Sequence, residues 1–174
     1  DVFTINNKEK LYFFLKSIDG SLKDWLIQEK QIGQEYTVQI FSDNESNLQC
    51  ILPVKVFEKK GSTIDAKIVR NDLIYNYCHN IHKTFNPGGC YNVQLIHRDD
   101  DVVSCFEVNP RISTTFCMGI FAGVDPFQNY LNGFKSYKEN VTTRKRMICG
   151  LKNDTKKTTH NKKKHKKNNN KTNK

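Results

Sequence analysis

Two short segments carry side chains able to act together on a phosphate: Glu107-Val108-Asn109-Pro110-Arg111 and Asn92-Val93-Gln94. Glu107, Asn109 and Arg111 are spaced by two, so on a continuing strand they share one face. Phe106 and Val108 then turn to the opposite side, toward a core. Carboxylate and amide oxygens are hard donors, which Mg²⁺ takes at about 2.0–2.1 Å. A guanidinium is permanently charged and fork-shaped, and suits a phosphate or a developing oxyanion. Phosphoryl transfer mainly requires positioning and charge neutralisation, which such a patch supplies. Pro110 removes a ladder donor and ends the strand beside it. An amphipathic strand with its polar face in water carries the same residue types, so spacing alone leaves both readings open.

The elements around these residues decide whether they meet. Tyr91–Ile96 and Val102–Val108 read as a hairpin about the polar turn His97–Asp101. A turn centred on Asp100-Asp101 sets Gln94 directly opposite Glu107, with Cβ atoms about 5 Å apart. A first hairpin is expected from Glu35–Ser42 and Leu48–Val54 about the turn Asp43–Asn47. In its first strand Tyr36, Val38 and Ile40 point one way, and Glu35, Thr37 and Gln39 the other. Lys55–Gly61 is charged and reads as a loop. Asn71 caps a helix running to about Thr84, with Leu73, Ile74, Tyr77, Cys78 and Ile81 on one face. Val2–Ile5 and Asp24–Glu29 read as short strands, and Lys8–Ile18 as a helix after Asn6-Asn7. Lys30–Gln34 reads as a linker, Phe116–Phe121 as a strand and Asp125–Leu131 as a short helix.

The second informative stretch is Gln28-Glu29-Lys30-Gln31-Ile32-Gly33-Gln34-Glu35-Tyr36-Thr37-Val38. Its glycine-containing connector exposes backbone groups able to pair an adenine edge. Glu35 opens the following strand, where a carboxylate accepts ribose hydroxyls; a solvated charge at a strand end reads the same way.

The chain has 174 residues, enough for one domain with a core. Ten of its 28 basic residues and one of its 18 acidic residues lie in 151–174, so the rest is close to neutral. The basic balance is a property of the tail and not of a nucleic-acid-binding fold. From about Lys152 the chain lacks apolar residues to offset ordering entropy and is expected to be disordered. The cysteines, Cys50, Cys78, Cys90, Cys105, Cys117 and Cys149, form no CxxC pair. Reduced thiols in a cytoplasmic protein are expected, with no signal segment or membrane span. His79, His82 and His97 follow no metal-ligand spacing, and His79 and His82 read as a surface pair.

The two motif segments in this order, followed by the apolar stretch Phe116–Val124, resemble the ATP-grasp superfamily. The likeness is to carbamoyl-phosphate-synthase-like members and related carboxylate–amine ligases. It spans roughly residues 1–133 and rests on Gln28, Glu29, Gly33, Glu35, Thr37 and Val38, then Asn92-Val93-Gln94, then Glu107, Asn109 and Arg111. The resemblance implies an α+β fold: the C-terminal subdomain of an ATP-grasp enzyme, mainly antiparallel sheet with flanking helices. It implies a remnant of the small subdomain in residues 1–28 and the C-terminal subdomain in 29–135. Residues 136–151 are then a linker and 152–174 the Lys/Asn-rich tail.

By the same resemblance Gln28, Glu29, Gln31 and Glu35 would bind ATP, and Gln94, Glu107 and Asn109 would hold Mg²⁺, or Mn²⁺ in its place. Arg111 would be catalytic. The implied reaction activates a small-molecule carboxylate as an acyl phosphate for attack by an amine or similar nucleophile. Lys55, Glu58, Lys59 and Lys60 fall where relatives place substrate-side charges, although a solvated loop accounts for them equally. The family's glycine-rich phosphate loop and the lysines before the hinge are expected upstream of Val2, so the chain reads as truncated and by itself inactive. Two other readings stand beside this one. One is an inactive remnant; the other is a protein that binds polyanions or nucleic acid nonspecifically through its basic tail.

Overall fold

The computed structural model describes residues 2–131 and 146–148. Its framework is one antiparallel sheet of six strands, flanked by helices in an α+β arrangement. The strands are β1 (Gln34–Ser42), β2 (Leu48–Lys60), β3 (Ser62–Ile68), β4 (Gly89–His97), β5 (Val103–Asn109) and β6 (Arg146–Ile148). Their order across the sheet is β5-β4-β1-β2-β3-β6. The helices are α1 (Lys8–Ser17), α2 (Asp72–Phe85), α3 (Phe116–Phe121) and α4 (Pro126–Leu131). No described helix is long and apolar enough to cross a membrane.

Alternation on β1 builds two cores. Tyr36, Val38 and Ile40 pack with Ile74 and Cys78 of α2 and with Val93 and Leu95 of β4. On the other face Phe41 joins Leu52, Val54, Ala66 and Ile68, closed by Phe116, Met118, Ala122 and Val124. Both faces are therefore covered. Thr37 and Gln39, on the polar side of β1, are buried as well, at 4% and 1% exposed. The segment after β5 folds back over them.

Local signals explain the helix ends. Asn71 Oδ1 accepts from Ile74 N–H at 3.0 Å and starts α2. Asn86, left-handed at φ 45°, ends it as its N–H reaches His82 O. Asn7 caps α1 in the same way through Lys10 N–H at 2.8 Å. No residue of α1 is buried. Beside it Phe3, Phe14 and Trp25 form an aromatic cluster with ring centroids 4.9–6.0 Å apart.

Several expected elements differ. Val2–Ile5 and Asp24–Glu29 are not strands; Leu22–Asp24 is a short 3-10 turn and the residues after it are irregular. Lys55–Gly61 is no loop, because β2 continues to Lys60 and turns into β3. Bulges between Val56 and Glu58 and between Glu58 and Lys59 break the alternation there. Phe116–Phe121 is a helix, since the chain has left the sheet at Asn109 and packs back across it. Val108 is exposed, not core. The expected linker 136–151 and tail 152–174 lie outside the described residues, save the strand at 146–148.

The histidine pair also separates. His79 stacks on Tyr75 with centroids 6.2 Å apart. His82 is buried, with Nε2 2.9 Å from Ser46 O and Nδ1 3.0 Å from the Tyr91 hydroxyl. Among the described residues the cysteines form no disulfide. Burial pushes the Cys78 thiol up to about 12 and raises Cys90 and Cys105 as well.

Candidate functional site

The β4–β5 ladder reaches the expected Gln94–Glu107 pairing through a bulge, because Leu95, Ile96 and His97 pair with Cys105, Ser104 and Val103, one residue off the register of a turn centred on Asp100-Asp101. Gln94 lies directly opposite Glu107, and Asn92 opposite Asn109. The β1–β4 pairing adds Thr37 beside Gln94 and Gln39 beside Asn92. One sheet face thus carries a row of polar residues from β5 to β1. Gln94 Nε2 donates to Glu107 Oε2 at 2.5 Å. Asn109 Nδ2 donates to Asn92 Oδ1 at 3.4 Å, and Asn92 Nδ2 to Arg111 O at 2.8 Å. Asn92, 1% exposed, therefore ties Asn109 to the backbone of Arg111.

Lys59 completes the row from the far side. Its position on β2 follows from the bulged pairing with Thr63 of β3. Its ammonium bridges Glu35 Oε1 and Gln94 Oε1, the latter at 3.1 Å. The residue expected beside ribose and one expected beside metal are thus joined through one cation. Lys59 lies in the segment expected as a loop, and its one signal in the sequence is the run Glu58-Lys59-Lys60.

An open cleft of about 150 Å³ lies above this face. Gln94 and Arg111 line it, together with Lys59, Thr37, Thr63 and the segment Ser113–Thr115. Thr63 on β3 and Ser113–Thr115 after β5 were not marked by the sequence, because hydroxyl residues at such positions have no spacing that signals chemistry. Arg111 leaves the strand: its N–H turns back to Asn109 O at 2.8 Å, which brings the side chain over the cleft instead of along β5. Among the described residues no carboxylate pairs with Arg111.

The nucleotide-side residues divide. Glu35 joins the row through Lys59. Gln31 Oε1 accepts from Arg98 Nη1 at 3.3 Å, at the β4–β5 turn. Gly33 lies so close to that turn that a Cβ would sit 2.4 Å from His97 O, so only glycine allows this approach. Gln28 and Glu29 are exposed, in irregular chain, and do not line the cleft.

The donor set suits a hard cation that shares its ligands. Among the described residues no group of three His, Cys, Asp or Glu side chains could hold a metal by itself. Glu107 carries one carboxylate; the side-chain amides of Gln94, whose nitrogen faces Glu107, and Asn109 stand beside it. The Lys59 ammonium on Gln94 Oε1 shows that this oxygen already faces a positive charge. Mg²⁺ commonly takes one or two carboxylates and completes its shell with water and phosphate oxygens.

Comparison with known proteins follows the same lines. A D-alanine–D-alanine ligase of Lawsonia intracellularis (strain PHE/MN1-00) is 26% identical over 134 residues, covering 66% of this chain and 42% of that one. The chain thus spans less than half the length of this curated relative. The N5-carboxyaminoimidazole synthetase of Staphylococcus aureus, solved with ADP, superposes at a TM-score of 0.56 with 15% identity. That match covers 74% of this chain and 37% of the synthetase. The biotin carboxylase domain of Hydrogenobacter thermophilus 2-oxoglutarate carboxylase, solved with MgADP and bicarbonate, gives 0.50 with 12% identity, over 65% and 28% of the two chains. At such identities the two structures share the fold. A family model described as ATP-grasp in the biosynthetic pathway with Ter operon matches residues 21–155, most of the chain. The chain belongs to this ATP-grasp family.

Proposed function

We propose that this chain is the nucleotide- and Mg²⁺-binding portion of a ligase that activates a carboxylate as an acyl phosphate. The observation that carries the reading is the Lys59 bridge between Glu35 and Gln94, with Gln94 in turn on Glu107. It brings the two motif segments, far apart in sequence, onto one sheet face. Kinship with a ligase and with structures solved with ADP and MgADP supports the same reading.

In this reading Glu35 accepts the ribose hydroxyls, and Gln28, Glu29 and Gln31 border the base. Glu107, Asn109 and Gln94 hold Mg²⁺, which when bound neutralises the phosphate oxygens of ATP. Arg111 stands over the cleft and offsets the charge that develops as the γ-phosphoryl group moves. A carboxylate oxygen attacks the γ-phosphorus, the bond to the β-phosphate oxygen breaks, and ADP leaves. An amine then attacks the acyl carbon, expels inorganic phosphate and loses a proton. Preorganised donors of this type commonly contribute about 10²–10³ in rate.

The test is binding of ADP to the 174-residue chain by calorimetry, with and without Mg²⁺. Mg²⁺-dependent binding is expected, weakened at least about tenfold by Glu107→Gln, which removes the one charged ligand. Equal affinity in the variant rules out the metal role of Glu107.

A further inference from the structure

The linker that enters β1 is held from both sides. Gln34 Nε2 donates to Val56 O of β2 at 2.6 Å. Toward the β4–β5 turn, a Cβ on Gly33 would lie 2.4 Å from His97 O and 2.9 Å from Arg98 Cα, so backbone meets backbone. Before Gly33 the chain is irregular, and among the described residues the backbone of residues 28–32 makes no backbone hydrogen bond. A side chain of the turn reaches it instead: Arg98 Nη1 donates to Gln31 Oε1 at 3.3 Å.

Arg98 is itself fixed. Its Nε and Nη2 donate to Asp100 Oδ1 and Oδ2 at 3.1 and 2.7 Å, a two-pronged pair that sets the plane of the guanidinium. Its N–H donates to Val102 O at 2.9 Å, and its carbonyl accepts from Asp101 N–H at 3.2 Å, so the turn closes around it. The ion pair is exposed and adds little stability. Its consequence is geometric.

The partner also decides which way the Gln31 amide is turned. A guanidinium has donors and no acceptor, so only the amide oxygen can face it. Among the described residues no hydrogen bond engages the amide nitrogen. Held by Arg98, Gln31 keeps its NH₂ donors for a ligand. Released from Arg98, the amide can turn end for end and offer its oxygen.

The place of Gln31 says which part of a ligand it meets. Gln94 pairs with Thr37, and Glu35 lies two residues back along β1, a rise of about 7 Å. Gln31 precedes both. In the nucleotide reading, on which this step rests, metal ligands, ribose carboxylate and linker follow in the order phosphate, ribose, base. Bases differ in their donor and acceptor patterns. On the pairing edge, N1 of adenine accepts a hydrogen bond, whereas N1 of guanine carries a proton and donates.

We infer that Arg98, braced by Asp100, is a positioning residue that sets base preference. It keeps Gln31 turned as a donor toward an acceptor on the base edge, and so favours adenine over guanine.

The 174-residue chain is titrated by calorimetry with MgADP, MgGDP and inorganic tripolyphosphate with Mg²⁺, which has no base. The wild type is expected to bind MgADP at least about tenfold more tightly than MgGDP. Arg98→Ala should narrow that preference to within about threefold, while tripolyphosphate affinity stays within about twofold. Gln31→Ala, which leaves the turn intact, should narrow it equally, and the double variant should add nothing. Amide spectra of the ¹⁵N-labelled free proteins report folding, and Arg98→Ala should move the Ile32 and Gly33 signals. An undiminished preference in Arg98→Ala overturns the inference, as do unmoved Ile32 and Gly33 signals or additive effects of the two substitutions. Equal loss of MgADP and tripolyphosphate overturns it too, since Arg98 would then act through charge. A wild type that binds MgADP and MgGDP equally removes the base preference and leaves the nucleotide reading standing. If it binds none of the three, the nucleotide reading falls and this inference with it.

Discussion

Gln94 and Glu107 face each other across the β4–β5 ladder, and the amide nitrogen of one donates to the carboxylate of the other at 2.5 Å. Two oxygen-bearing side chains at one ladder position are either a cross-strand pair or two ligands of one cation. Replacing the amide by a carboxylate distinguishes these roles. Gln94→Glu puts two like charges at one ladder position, which destabilises a sheet in the absence of a counterion. It also adds a charged ligand. The expected outcome is a lower Tm without metal, a Tm restored by millimolar Mg²⁺, and Mn²⁺ affinity raised at least about tenfold by electron paramagnetic resonance. A variant whose Tm ignores Mg²⁺ would show that the pair is structural.

The sheet face was readable because spacing of two on a strand sets Glu107 and Asn109 on one side of β5. The register was not: the turn pairs His97 with Val103, one residue off a centre at Asp100-Asp101, and a bulge between Gln94 and Leu95 restores Gln94 opposite Glu107. The long β2 was not readable. Glu58-Lys59-Lys60 has the composition of a loop, and its two bulges erase the alternation that would mark a strand. Phe116–Phe121 failed for the opposite reason: a short apolar run fits a buried strand and a buried helix equally well. The burial of Thr37 and Gln39 depends on what lies over them. Nothing local to β1 says that Ser113–Val124 returns there, so the part of the cleft formed by Ser113–Thr115 was invisible in the sequence.

Leu52 ties the two layers over the cleft side of the sheet. It is 2% exposed and belongs to the core closed by Phe116 and Met118. Leu52→Ala removes two buried methyl groups and the methine that carries them, and leaves a cavity beneath α3. A loss of about 2–5 kcal/mol in unfolding free energy is expected from urea denaturation. A loss under about 1 kcal/mol would mean that α3 collapses into the space, and with it the Ser113–Thr115 segment that precedes it.

The β1–β2 turn is sensitive to acid. Asp43 accepts from Glu45 N–H at 2.9 Å, Asn47 N–H at 2.8 Å, Asn47 Nδ2 at 3.0 Å and Gln49 Nε2 at 3.2 Å. The Asn47 side chain and the backbone N–H groups favour the ionised form and hold its carboxyl below the ordinary Asp value, despite some opposing desolvation. A folded value below the unfolded one gives stability that is full above the unfolded pKa, about 3.9. That stability is lost as pH falls through the folded value. The melting temperature of the wild type is expected to drop below pH 4 by more than that of Asp43→Asn. Parallel curves for the two proteins would show that the turn contributes nothing to the acid transition.

His82 fastens the end of α2 to the β1–β2 turn, and its proton positions follow from its partners. The Ser46 carbonyl can only accept, so Nε2 carries the proton and donates to it at 2.9 Å. In the neutral ring Nδ1 then accepts from the Tyr91 hydroxyl at 3.0 Å. Burial pushes the Tyr91 hydroxyl up, so it remains a donor throughout the working pH range. Tyr91→Phe deletes one bond and leaves Nδ1 without its donor. His82→Phe keeps the ring but leaves both the hydroxyl and the carbonyl unpaired in a buried place. A loss of about 1–3 kcal/mol is expected for each stranded group, so the histidine variant should lose more than the tyrosine variant. The double variant strands only the Ser46 carbonyl, because neither Nδ1 nor the hydroxyl remains. Its destabilisation should therefore fall short of the sum of the two single losses, measured by denaturant unfolding. Additive losses would show that His82 and Tyr91 act independently.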